Sequence, residues 1–277
     1  RLAQALTAVT VITAPIWMVF DSWFAYDPFD QLITVILFYF IVVMIKQETS
    51  RRWIWIGVIA GLGLMIKLTM LFTVLGFVIA ILLTCHRKSI LTRWPWIAAC
   101  LAVSLCMPYL IWQIIHGIPL LSYWPHYAQY RPHPDLLQFF GTLTLMLNPF
   151  ALPILLAGLY YLCFNSTGKR FRLLGIVFLF LLLFYSIVMR TEFRMLVSAC
   201  FPLLAAGAIL FEDALTKSRH KAIGFTYAGI LCVSGIVLAP AFLPILPKEQ
   251  LVEALHLKST DQIPIHFSLR IGWPEMV

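Results

Sequence analysis

The longest apolar runs decide what this chain can become. Between residues 173 and 189 the one polar residue among apolar and aromatic neighbours is Ser186. A run of that length is too long for the core helix of a soluble domain. It fits a solvent without water, because about 20 apolar helical residues match a hydrocarbon layer of about 30 Å. Lipid cannot hydrogen-bond free amide groups, so such runs must be helical. Composition agrees: 61% of the residues are hydrophobic and 12% charged, against about 25% charged in a soluble domain.

Read along the chain, the apolar spans fall at residues 2–20, 31–45, 96–115, 141–164, 173–189, 195–211 and 222–246. Pro15 marks a kink in the first of these. Residues 53–84 are a special case. The segment is interrupted by Lys67 and flanked on both sides by arginine pairs or Arg-Lys. Two basic flanks belong on one side of the membrane, which requires an even number of crossings. The segment is too short for two full spans, so it reads as two short helices that turn near Lys67. This gives an all-α polytopic membrane protein of about nine apolar helices. Residues 1–246 form the bundle, and residues 247–277 are expected to begin a segment on the outer face.

The net charge of +8 does not point to nucleic acid, because the bases are not gathered on one segment. Twelve of the 20 Lys and Arg residues lie in four loops, 46–52, 87–93, 169–172 and 217–221. Strict alternation of the spans puts all four loops on one side, which the positive-inside tendency makes cytoplasmic. The other side then holds the acidic loop 21–30, Lys67, the Pro-, Tyr- and His-rich loop 116–140, the RTEFR turn at 190–194 and the tail. Cys85, Cys100, Cys106, Cys163, Cys200 and Cys232 form no CxxC pair and read as small hydrophobic residues.

Ionisable groups at span ends are the candidates for chemistry, because burying them in lipid is costly. Asp27 and Asp30 stand where the acidic loop meets the second span. Either binds a metal, orients a substrate or acts as a base; the plainer role for Asp30 is to cap the helix that follows. Lys67 contacts a lipid phosphate or snorkels to head groups. Arg190 and Arg194 flank Glu192 in a five-residue turn. Two guanidinium groups suit a phosphate or pyrophosphate, and the plainer role is a Glu192–Arg194 ion pair. His116, His126 and His133 match no zinc spacing, and Tyr123, Trp124, Tyr127 and Tyr130 either stack on sugar or, the plainer role, lie in the membrane interface. No phosphate-binding glycine loop and no catalytic Ser or Cys motif is present.

Several segments in order resemble the polytopic glycosyltransferases of family 39, the protein mannosyltransferase-like or lipid A aminoarabinose transferase-like group with the C-type glycosyltransferase fold. They are YDPFDQL at 26–32, WIWIGVIAGLGLMIKLT at 53–69, PYLIWQIIHGIP at 108–119, LNPFALPILLAGL at 147–159, FRMLVSACFPLLAAGAILFED at 193–213, LAPAFLPILPKEQL at 238–251 and GWPEM at 272–276. The resemblance implies inverting transfer of a sugar from a polyprenyl-phosphate donor to a lipid, glycan or protein acceptor. The transfer would occur at the outer face of a bacterial inner membrane. A divalent cation is an open question, and no nucleic acid takes part.

Residue by residue, the resemblance maps a second-loop acid onto Asp30 through its FDQL context, or onto Asp27 through its DPF context, with Asp30 favoured. It maps the family lysine onto Lys67 and a late E-x-R element onto Glu192 and Arg194. Phe193 and Met195 stand there in place of a tyrosine-rich pattern. It further implies a principal catalytic Asp in an outer loop preceding Arg1, so this fragment alone is expected to be inactive. A transporter is the competing reading. It would place ionisable groups near the bilayer midplane within inverted repeats, and no repeat is found.

Overall fold

The computed structural model describes residues 1–22, 24–47, 50–123, 134–190, 194–217, 221–243, 250 and 252–253. Every regular element among them is helical. The aromatic and histidine residues at 124–133, Glu192, Ser218 and the tail segment 254–277 lie outside the described residues.

The chain opens with α1 (Leu2–Ile12) and α2 (Pro15–Phe20), separated at Thr13 and Ala14. Ala14 is extended, with φ −84° and ψ 123°, as expected of a residue before proline. The expected kink at Pro15 is thus a full break. Next come α3 (Tyr26–Gln47), α4 (Arg52–Ile66) and α5 (Met70–Leu83). The turn expected near Lys67 is present. Lys67 itself is extended, with φ −154° and ψ 122°. The chain folds back there: Met70 lies against Gly63, and the Phe77 ring meets Trp53 at 5.8 Å. A 3-10 turn, Cys85–Leu91, bends away from α5 by 106° and leads into α6 (Arg93–Ile115).

The second half contains α7 (Leu136–Met146), α8 (Leu152–Cys163), α9 (Arg172–Ile187), the short α10 (Arg194–Val197), α11 (Cys200–Lys217) and α12 (Lys221–Phe242). Here the span expected at 141–164 needs correction. Its helix begins earlier, at Leu136, where Asp135 and Gln138 form a capping box. It then breaks at Asn148 and bends by 87°. The cause is local: Asn148 takes φ 71°, which Asn tolerates better than most side chains, and it precedes Pro149, which disfavours a helical residue before it. The span expected at 195–211 likewise divides, between Val197 and Cys200.

Among the described residues four helices are long and apolar enough to cross a membrane, Tyr26–Gln47, Arg93–Ile115, Thr167–Ile187 and Ala222–Pro240, and up to six spans result if each bent pair counts as one. Many large apolar side chains, among them Leu83, Leu137 and Val237, face outward. Such a surface suits lipid rather than water. The chain is an integral membrane protein.

Helix pairs in lipid associate through close packing of small residues, and two crossings here depend on it. In α4, Gly57 and Gly61 lie against the backbone of α6 at Ala98 and Ala102. In the second crossing, Gly158 of α8 meets the Leu203 carbonyl of α11, while Gly207 of α11 meets the Ile154 carbonyl of α8. Gly158→Leu is therefore expected to cost more than the roughly 1–3 kcal/mol usual for overpacking, because backbone must move. Gly141→Ala is the control, since an added Cβ meets nothing within 4 Å there. Thermal unfolding in detergent checks both; equal melting temperatures would remove the crossing from the list of stabilising contacts.

A buried polar knot joins the breaks. The Asn148 side-chain amide donates to Ser234 Oγ at 2.8 Å and to the Thr13 carbonyl at 3.4 Å, and its oxygen accepts from Phe150 N–H at 3.1 Å. The carbonyl freed at the α1–α2 break and the amide freed at the α7–α8 break are thus satisfied by one side chain.

Candidate active site

The cluster begins with the entrance to α3. Pro28 sits in the first turn, where the helix needs no amide donor, and Asp27 in that turn complements the positive end of the helix dipole. Asp30 follows three residues on, hence on the same helical face. The turn between α4 and α5 brings Lys67 to the same place. Its side chain is a lone cation in an apolar run, and it ends on the acid of α3: Lys67 Nζ donates to Asp27 Oδ1 at 2.7 Å.

A third element completes the cluster. Arg194, the first residue of α10, places Nη1 3.7 Å from Asp27 Oδ2. The Asp27 carboxylate therefore spends one oxygen on each cation. The pair Lys67–Asp27 is nearly dry, with side-chain exposures of 10% and 7%, and that of Arg194 is 18%. Asp30 is 8% exposed and within electrostatic reach of Lys67, Asp27 and Arg194. Thr69, which precedes α5, donates its hydroxyl to Met195 Sδ at 3.6 Å, tying the Lys67 turn to α10.

Aromatic residues line the cations, and sequence reading had not singled these out. The Tyr26 ring lies 4.5 Å beneath Lys67 Nζ, and its hydroxyl accepts from Arg194 Nη2 at 3.5 Å. The Phe20 ring lies 5.6 Å from the Arg194 guanidinium carbon. Both contacts have cation–π geometry. The available signal was adjacency of Tyr26 to Asp27, but aromatic residues at a membrane boundary are common without any site. Nearby, burial and then the Asp27 charge push the Asp21 carboxyl up from its ordinary value.

Of the residues singled out in the sequence, Asp27, Asp30, Lys67 and Arg194 come together. The direct ion contacts go to Asp27 rather than to Asp30. Arg190 is engaged elsewhere: Nε donates to the Ser186 carbonyl at 2.7 Å and Nη1 to the Pro134 carbonyl at 3.5 Å. Glu192 lies outside the described residues.

Chemically, the cluster presents two cations around one carboxylate, with a second carboxyl one turn away. Two cations that converge from separate elements suit an anion with several oxygens. The donor set does not fit a divalent cation as it stands, because both Asp27 oxygens face cations and, among the described residues, no three His, Cys, Asp or Glu side chains converge.

The opposite end of the bundle is basic and bound together. The Arg170 guanidinium donates to the Ile45 carbonyl at 2.6 and 3.1 Å and to the Lys46 carbonyl at 3.1 Å. His86 approaches the Arg170 carbonyl at 3.5 Å. Three of the four basic loops thus share one end.

Residues 2–112 match the family model described as dolichyl-phosphate-mannose-protein mannosyltransferase. No curated protein and no solved structure matches the chain. The matched stretch contains Asp27, Asp30 and Lys67, and ends before Arg190 and Arg194.

Proposed function

We propose that this chain, whose residues 2–112 match the family model described as dolichyl-phosphate-mannose-protein mannosyltransferase, is a C-type membrane glycosyltransferase that moves a sugar from a polyprenyl-phosphate donor to an acceptor at the outer face of the membrane, with inversion. The observation that carries this reading is the Asp27–Lys67–Arg194 cluster, built at the end of the bundle away from the basic loops. In the reaction the bond from the anomeric carbon to the phosphate oxygen breaks. The acceptor hydroxyl forms a new bond on the opposite face and gives its proton to a carboxylate. Negative charge grows on the departing polyprenyl phosphate, and positioned cations stabilise such charge. Lys67 and Arg194 are those cations.

In this reading Asp27 holds the two cations together before the donor arrives, and Asp30 orients the acceptor beside them. Arg190 ties the end of α9 to the Pro134 carbonyl, and Glu192 has a supporting role. The acceptor proton goes to the outer-loop aspartate that the family resemblance implies.

The test is transfer of labelled sugar from a polyprenyl-phosphate donor by membranes carrying the native protein. Arg194→Ala is expected to lower turnover by about 10²-fold, with Arg194→Lys recovering part of it. Cysteine labelling in the same membranes should find Ser122→Cys outside and Ser218→Cys inside. No donor consumption by the native protein would overturn the activity, and labelling of both cysteines from one side would overturn the orientation.

A further inference from the structure

The close contact of α4 with α6 leaves a gap beside it. Gly57 and Gly61 bring the α4 backbone against Ala98 and Ala102 of α6, and the small residues along this crossing do not fill the space beside α5. A cleft of about 210 Å³ remains between the three helices, its small-residue wall formed by Gly57, Ala60, Ala98, Ala99 and Ala102 and its far wall by Phe77 and Ile81. The lining is almost wholly apolar, and Val78, Trp96 and Ala99 of that lining are exposed at the surface of the bundle.

One end of the cleft is built differently. There Trp53, Ile90, Pro95 and Trp96 form the mouth. The Trp96 indole N–H donates to the Ile90 carbonyl at 3.0 Å and so clips the 3-10 turn Cys85–Leu91 to the start of α6. Each of these mouth residues is within three positions of a base: Arg51 and Arg52 before Trp53, Arg87 and Lys88 before Ile90, Arg93 before Pro95 and Trp96. Arg87, Lys88 and Arg93 are exposed. The sequence contains no acidic residue from position 50 to position 134; the acids that flank this stretch are Glu48, which lies outside the described residues, and Asp135, which caps α7.

We propose that this cleft binds an anionic phospholipid, with one acyl chain between α4, α5 and α6 and the phosphate against Arg87, Lys88 and Arg93. Two features select that ligand. The cleft needs a flexible apolar chain, which a free phosphate lacks. Its mouth needs an anion, whereas the quaternary ammonium of a zwitterionic lipid would meet the same bases with the wrong sign. Basic pockets between membrane helices recognise acidic head groups in this way. The site is separate from the Asp27 cluster and does not depend on the transferase reading, since its readout is binding.

The test is lipid retention by the purified native protein, read by native mass spectrometry and by melting temperature in a neutral detergent. Phosphatidylglycerol, phosphatidylcholine and inorganic phosphate are added in separate arms. Phosphatidylglycerol should be retained and should raise the melting temperature, and the other two should not. Replacing Arg87, Lys88 and Arg93 by Gln should weaken phosphatidylglycerol binding about fivefold for each base removed. Ala99→Phe should fill the cleft and abolish retention while leaving the lipid-free melting temperature unchanged. Equal effects of phosphatidylcholine would overturn the proposal in favour of unselective filling by any chain. A shift with inorganic phosphate alone would overturn it in favour of a plain anion site. Undiminished phosphatidylglycerol binding by Ala99→Phe would place the lipid elsewhere.

Discussion

Lys67→Met in the native protein is expected to lower sugar transfer by about 10²–10³-fold, the usual loss when one preorganised donor to a developing anion is removed. It should also destabilise the fold by about 3–5 kcal/mol, because Asp27 stays buried after losing its nearer cation. The two losses separate in a second variant. Lys67→Met combined with Asp27→Leu removes both buried charges, and apolar replacement of a buried ion pair is often neutral or stabilising. Most of the stability should return and none of the transfer. Melting temperature and turnover, measured on the same preparations, decide the matter. Recovery of transfer in the double variant would show that Lys67 serves the fold alone.

The two acids should behave unequally. Asp27→Asn leaves Lys67 and Arg194 facing one another without the carboxylate that touches both, at 2.7 and 3.7 Å. A drop of about 3–5 kcal/mol in stability is expected, together with a loss of transfer of at least about 10²-fold. Asp30→Asn keeps both ion contacts, so folding should be retained and turnover alone should fall. Full activity in Asp30→Asn, with loss of stability equal to that of Asp27→Asn, would assign Asp30 to the framework instead of the reaction.

The sequence already carried the helices, the turn at Lys67 and the gathering of basic loops. Each depends on hydrophobic runs and isolated charges, which are local signals. A lysine between two apolar stretches must reach water or an acid, and that necessity is visible without coordinates. The break at Asn148 was hidden by apolar residues on both sides, Leu147 before it and Phe150 after. Its cause is an Asn-Pro backbone preference, satisfied by Thr13 and Ser234 from distant parts of the chain. Choosing between Asp27 and Asp30 was also beyond local reading, because motif context favoured one acid and three-dimensional reach favoured the other. Arg190 and Arg194 looked equivalent in their turn, yet one guanidinium meets backbone carbonyls and the other a carboxylate. Only the direction of each side chain separates them.

The order in which the cluster closes has a consequence for biosynthesis. Asp27 and Lys67 are 40 residues apart, so at about 5–20 residues per second the acid finds its first cation roughly two to eight seconds after emerging. Tyr26 and Arg194 are 168 residues apart, which delays the second cation by roughly ten to thirty seconds. The half-built protein therefore holds a paired acid rather than a bare one while the ribosome works through the later helices. The arginine emerges only after α9, so the second contact with Asp27 forms only once the second half of the bundle has begun to assemble.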